Sequence, residues 1–524
     1  MPISFSQIPA NIKVPLYWVE VDPSKAGLPQ LGLRALLVGT MVAPGNALPD
    51  VPIAIGSQAQ ADAHFGQGSE LSRMFKAFYA NNVANEVWGL PVGEPTGAVA
   101  ATGSIQVTAA PTQAGTIHLY IGGEHIPVNI GATDTEDQIA SAISDAINDN
   151  FDLPVQAAAA MGSVTLTCLW KGVGGNEITV SLNYYGTVGG ETLPPGLTLT
   201  LPATGLLTGG TGVPDFTQAI SNMGEQEFEY VAMPFTDSTS LFAWDQEYGF
   251  TDQGRWGWMR EHFGHVFSAK RGTYPDLITF GNTQNSAVIS VMGFEVASPS
   301  PAYEWSAAYA AKAQRALVND PARPLQTLSL NQIKCAPLQD RFNFSELNAL
   351  AENGIAIQKA GSDRQPMIAR EQTLYQLNLY GQEDDAYELV TTLATLAKLL
   401  RNQRQAITSK FPRHKLADDG TRFGPGQAVV TPGIIKGELI AQYRQDEFDG
   451  LVENTRAFKA NLLVERDPND PNRVNVLYPP DLINQLRIFA VLAQFRLQYN
   501  RGLDVEIIGQ QIGQIGVTGT LPPQ

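Results

Sequence analysis

Leu33-Arg-Ala-Leu-Leu-Val-Gly39 sets four apolar residues in a row and closes on glycine. A run with no polar alternation is the mark of a parallel strand covered on both faces, and such a strand needs helices on either side. The flanking sequence supplies them. Ser69 to Asn81 reads as a helix and Glu86-Val-Trp-Gly-Leu90 as the next strand. After a long interruption the rhythm resumes with a helix near Phe216, strand Phe228 to Met233, helices Ser240 to Tyr248 and Arg255 to Phe263, and strand Asp276-Leu-Ile-Thr-Phe280. A strand from Ala287 to Glu295 and an alanine-rich helix from Ala302 to Val318, stopped by Pro321, follow. Residues 31–97 and 214–383 are therefore predicted to form one discontinuous α/β domain.

The interruption, residues 98–213, has a different composition. It holds nine acidic residues and one basic residue, Lys171. A shift that sharp marks an inserted module. Ser104 to Thr108, Thr116 to Ile121, Val164 to Leu169 and Ile178 to Leu182 read as short strands between glycine turns. A helix is expected from a capping box at Thr133-Asp-Thr-Glu136, with Ile139, Ala142, Ile143, Ala146 and Ile147 on one face. The module is expected to be β-rich and to face outward.

Residues 384–500 read as a separate α+β domain. Tyr387, Val390, Leu393, Ala394, Ala397 and Leu400 form the stripe of a long helix, with Asp384 and Asp385 in its first turn, where the helix dipole favours them. Ala460 to Glu465 and Arg473 to Tyr478 make a hairpin across Arg466-Asp-Pro-Asn-Asp-Pro-Asn472. Phe489, Val491, Ala493, Phe495 and Leu497 alternate with polar residues and predict a half-buried strand over Leu486 to Leu497.

Both ends carry an extended arm, residues 1–30 and 501–524. In the first, Val14, Leu16 and Trp18 alternate with Pro15, Tyr17 and Val19, while Pro9, Pro15 and Pro23 restrict the segment to the edge of a sheet. A Tyr-Trp-Val run at an edge needs cover, and a neighbouring subunit can provide it. The alternative is a strand folded back on its own domain. In the second arm Val505-Glu-Ile-Ile-Gly509 offers Val505 and Ile507 for the same use.

At 524 residues the chain is long enough for several cores. Its net charge of −17, from 51 acidic and 34 basic side chains, opposes binding to nucleic acid or anionic membrane. The start lacks the basic flank and apolar core of a secretory signal, so the protein is expected to stay in the compartment where it is made. Cys168 and Cys335 are too few for a disulfide framework and read as buried thiols.

Enzymatic readings find little support. His262 and His265 have the spacing of paired ligands, but no His-rich segment completes a shell, and structural histidines fit better. The Gly205-Leu-Leu-Thr-Gly-Gly-Thr-Gly212 stretch lacks the Lys-Ser/Thr of a phosphate loop. No Gly-x-Ser-x-Gly elbow occurs, and Ser69 and Ser163 show no partner base. Trp256, Trp258 and Phe263 read as packing residues. No catalytic residue, cofactor or metal ligand is assigned.

Ile8 to Asp22, Phe411 to Gln427 and Pro471-Asn-Arg-Val-Asn-Val-Leu-Tyr-Pro-Pro-Asp-Leu-Ile-Asn-Gln-Leu-Arg-Ile-Phe-Ala490 resemble the tail sheath proteins of Mu-like contractile phages. The resemblance implies a sheath subunit that forms a helical homo-oligomer of stacked rings around an inner tail tube and contracts to drive that tube through the host envelope. It further implies a subtilisin-like α/β domain without a catalytic triad, arms that complete the sheets of neighbours' C-terminal domains, and contacts with baseplate and tail terminator proteins. Location in the virion tail follows, with assembly in the host cytoplasm. For the tube-facing surface the candidates are Lys410, Arg413, His414 and Lys415, the densest basic patch in the chain, and the alternative is a solvated loop paired with Asp418 and Asp419. Other readings are the sheath of a headless contractile particle, another virion layer, and a hydrolase with an unrecognised site.

Overall fold

The computed structural model describes residues 33–361, 363–495 and 497. The chain divides into two compact units at Ile483 and Asn484. In the first unit, Ala35–Thr40 is the strand expected from the opening run, and all six of its residues are buried. It pairs in parallel with Tyr230–Ala232 on one side and Val87–Val92 on the other. The eight-stranded sheet continues through His265–Gly272, Ile289–Glu295 and Ala356–Ala360. Its two edges are antiparallel, Pro366–Arg370 at one and Ile53–Ile55 at the other.

Alternate side chains of the central strands enter different cores, as strand geometry dictates. Ala35, Leu37, Tyr230, Ala232, Phe267 and Ala269 face one apolar cluster. Leu36, Val38, Val231, Val266 and Val291 face another. The helices Glu70–Tyr79 and Ala302–Asn319 pack on the first face, where Ala307, Ala308, Ala310 and Ala311 are fully buried and let the longer helix lie close to the sheet.

Residues 98–213 build two antiparallel sheets. One runs Thr198–Thr200, Ala100–Ala109, Ser163–Lys171, Val155–Ala160, and the other Glu124–Ile130, Gly115–Ile121, Val180–Leu182. The helix Glu136–Asn148 buries Ile139, Ile143 and Ile147 against them. Its capping box is Thr135 with Gln138, two residues later than the sequence suggested, because Thr135 holds the extended backbone that lets its hydroxyl accept from the Gln138 N–H. Arg73 ties these sheets to the main domain: its guanidinium donates to the carbonyls of Gly122 (2.8 Å) and Asp152 (2.7 Å) and to the Glu304 carboxylate (2.5 Å).

Four expectations fail for identifiable reasons. Asp276 to Phe280 is not a strand; it lies in the helix Tyr274–Asn282, opened by a Thr273 and Asp276 capping box with Pro275 in its first turn. Arg255 to Phe263 is a chain of turns rather than a helix, since Glu261 has φ 52° and the buried Arg255 reaches Glu247 (2.6 Å) and the Gln226 carbonyl (2.6 Å). The long helix begins at Val390, not at Asp384; Asp384 accepts from Tyr375 Oη at 2.5 Å, and Tyr387 packs on Phe250 and Tyr375. Leu486 to Leu497 has no strand among its described residues. Cys168 and Cys335 are both buried free thiols. No helix of the described residues is long and apolar enough to cross a membrane.

Candidate assembly interface

The C-terminal part of the first unit is built around Tyr443 and Phe458, whose rings stack at 3.7 Å between centroids and 4° between planes. Tyr443 comes from the helix Pro432–Phe448, which is started by Thr431 and by proline in its first turn, and Phe458 comes from Thr455–Asn461. The Tyr443 hydroxyl donates to the Glu453 carbonyl at 2.7 Å, so the buried ring keeps a satisfied polar end. Leu399 of Val390–Lys410 joins this core, and Glu229 of the main domain pairs with Arg401 of the same helix. Burial pushes the Glu229 carboxyl up to about 7, against the pull of Arg401.

On this core rests a hairpin, Leu463–Arg466 with Val474–Leu477, in the register Leu463↔Leu477 to Arg466↔Val474. It is a sheet of only two strands, and both its long edges are without a further strand among the described residues. Two strands alone are marginally stable in water, and open edges invite a third. Leu463 and Leu477 are more than half exposed. Beside the hairpin lies a groove of about 520 Å³ lined by Val474, Val476, Trp258 and Leu439 and by the ion pair of Glu261 with Arg404. Trp258 stands 72 % exposed at its rim.

Of the basic candidates, Lys410 ends its helix and pairs with Glu438. Arg413 and His414 are exposed, and the His414 ring meets Phe411 edge-on at 5.3 Å. Lys415 donates to Gln427 at 3.2 Å. The acidic partners foreseen for them are engaged elsewhere: Asp418 pairs with Arg466 at 2.9 Å, and Asp419 accepts from the Gly433 N–H at 2.9 Å. Val14, Leu16, Trp18, Val505 and Ile507 lie outside the described residues. Within the second unit, Leu486, Ile488, Phe489, Val491, Leu492, Phe495 and Leu497 are all exposed. The half-buried strand read in the sequence is not formed among the described residues: apolar side chains of both registers, Ile488 and Leu492 as well as Phe489 and Val491, are exposed alike.

The histidines weighed as ligands separate. His265 is buried on the central sheet, where desolvation drives it down to about 3, and His262 sits 3.4 Å from Glu225. Trp256 packs within the turns, its Nε1 donating to the Gly264 carbonyl at 2.9 Å. The hairpin and its groove escaped the sequence reading as a site, although the hairpin itself was read. The groove forms where residues some 200 positions apart converge, and no local pattern marks it.

Among the described residues this hairpin is a minimal sheet of two strands, flanked by a groove of mixed apolar and charged lining. Residues 209–374 match the phage tail sheath protein central domain, and residues 382–496 match the phage tail sheath C-terminal domain. The Mu-like prophage FluMu tail sheath protein of Haemophilus influenzae is 41% identical over 499 residues, covering 95% of this chain and 100% of that protein. The chain belongs to the phage tail sheath family. Its role is structural, in the sheath of a contractile tail, and the family is not one of enzymes. Among solved structures, a sheath tail protein from Desulfitobacterium hafniense matches with 13% identity and a TM-score of 0.44, over 89% of this chain and 100% of that one. A chain of the anti-feeding prophage baseplate matches with 10% identity and a TM-score of 0.46, over 93% and 100%.

Proposed function

We propose that this subunit polymerises as a helical homo-oligomer of stacked rings around an inner tail tube, and that contraction of the lattice drives the tube through the host envelope. The single observation that carries the reading is the C-terminal hairpin, which among the described residues has only two strands, in a chain whose extremities hold apolar alternating segments. An arm strand through Val14, Leu16 and Trp18, or through Val505 and Ile507, would extend that hairpin in a neighbouring subunit. Ordering eight residues costs about 1–2 kcal/mol each, and each backbone hydrogen bond returns roughly 0.5–1.5. Burying Val14, Leu16 and Trp18 at about 1.5–3 kcal/mol apiece brings one arm near balance. Single subunits then stay dissociated, whereas a tube that aligns several of them makes each further docking partly intramolecular.

In this reading the domain over 31–97 and 214–383 is the subtilisin-like scaffold, 98–213 faces outward, and 384–500 faces the tube. Lys410, Arg413, His414 and Lys415 meet an acidic tube surface by screened, reversible attraction. Sheath ends would contact baseplate and tail terminator proteins, after assembly in the host cytoplasm. A chain carrying Arg413→Glu with Lys415→Glu, mixed with purified tail tube, is expected to sheathe it poorly at low salt while keeping its circular dichroism spectrum. Sheathing equal to that of the parent chain at low and high salt would remove the patch from the tube contact.

A further inference from the structure

The hairpin of Gly115–Ile121 with Glu124–Ile130 turns at Gly122 and Gly123, and its register sets His118 opposite Pro127 and Tyr120 opposite His125. Residues two apart on a strand share a face, so His118 and His125 are diagonal neighbours on one surface of the sheet. Their rings lie parallel within 8°, with centroids 5.2 Å apart, and His118 Nδ1 is 3.0 Å from His125 Nε2. A third group arrives from another loop: Glu191 is buried, and its Oε1 lies 4.0 Å from His118 Nδ1. Donor atoms of all three side chains lie within 4.8 Å of one another.

We infer that His118, His125 and Glu191 form a binding site for a divalent transition-metal cation such as Zn²⁺, with a fourth position open to water. Zinc bound at about 2.0–2.2 Å to nitrogen and oxygen in a tetrahedron keeps its ligands roughly 3.3 Å apart. The His118–His125 contact of 3.0 Å, a hydrogen bond whose proton the ion would replace, and the His118–Glu191 separation of 4.0 Å fall on either side of that value, and no pair in the set exceeds 4.8 Å. Two imidazoles and one carboxylate suit zinc, cobalt, nickel or copper better than calcium or magnesium, which prefer all-oxygen shells. A buried carboxylate is retained where it meets a cation or strong donors. Glu191 is held by two donors: Tyr120, whose ring stacks on His125, donates its Oη to Oε1 at 2.5 Å, and the Tyr185 N–H donates to Oε2 at 2.8 Å. These are the outer contacts that orient a ligand. His125 is exposed, which leaves a path for the ion and room for water. Such an ion would clasp the loop carrying Glu191 to the hairpin of the acidic module. The sequence reading assigned no metal ligand, because the hairpin turn and a loop more than sixty residues on are what bring the three together.

The test uses the full chain without added histidines, stripped with EDTA and titrated with Co²⁺, whose visible absorption reports tetrahedral coordination. A saturable tetrahedral-type spectrum at a single equivalent, displaced by Zn²⁺, is expected. His125→Gln, at an exposed position that spares the fold, and His118→Gln should abolish it, while His262→Gln and His414→Gln should leave it unchanged. Tyr120→Phe keeps all three ligands but removes one of the two donors that orient Glu191, and is expected to lower affinity about 10- to 100-fold. No saturable Co²⁺ spectrum in the parent chain, or one that survives His125→Gln, would overturn the assignment.

Discussion

Glu70 shows how single residues of this subunit trade stability for position. It opens the helix Glu70–Tyr79 yet is almost completely buried, accepting from the Thr40 N–H (2.9 Å) and the Thr40 hydroxyl (2.8 Å). Burial raises its carboxyl from 4.5 to about 7, with the Thr40 bonds pulling the other way. A folded value above the unfolded one means that its contribution is full below about 4.5 and is lost as pH rises through 7. Glu70→Gln is therefore expected to be more stable than the parent chain at pH 8 by ~1–3 kcal/mol and about equal to it near pH 4.5, read by urea denaturation of both chains at the two pH values. A gap that does not change with pH would show that ionisation of Glu70 is not the cause. Nothing in Ser69-Glu-Leu-Ser-Arg announces this burial. Periodicity located the helix, but only the packed sheet decides that its first residue faces Thr40. His118 and His125 differ in this respect, because their spacing across the Gly122-Gly123 turn could have been read once the hairpin was granted.

At the scale of elements, residues 98–213 are held to the main domain by a few buried polar contacts as well as by apolar packing. Arg73 is 2 % exposed and carries the carbonyls of Gly122 and Asp152 together with the Glu304 carboxylate. Removing one partner of a buried ion pair strands the other, at a cost of about 3–5 kcal/mol. Arg73→Met should lose stability of that order and speed amide exchange across Gly115–Ile121 and Glu124–Ile130, and adding Glu304→Gln should recover part of the loss. Unchanged exchange in that hairpin would mean that Arg73 does not anchor it. The elements themselves were legible where one signal dominated: the apolar run at Leu33 to Gly39, the alanine stretch from Ala302, the turn at Asp467 to Asn472. Two signals competed at Asp276 to Phe280, and the Thr273-Tyr-Pro-Asp276 cap prevailed over β-branched side chains. The helix Pro432–Phe448 carried a readable start at Thr431-Pro432 that the sequence reading passed over.

For the whole molecule, the described residues contain one extended sheet and, in the C-terminal part, only a minimal one. The eight-stranded sheet is covered on both faces, with strand alternation feeding two separate cores. Among the described residues the C-terminal hairpin has no third strand, and the alternating segment from Leu486 to Leu497 forms no strand there and exposes its described apolar side chains. Its period of two was legible in the sequence, but its burial was not, because burial of such a segment depends on a ladder partner that one chain need not contain. We propose that subunits are joined by strands lent from one chain to the next. Electron microscopy of the full chain beside a chain beginning at Gly32, under the same polymerising conditions, tests it directly. Long hollow cylinders from the full chain and none from the shortened one are expected, and cylinders of equal length and diameter from both would contradict it.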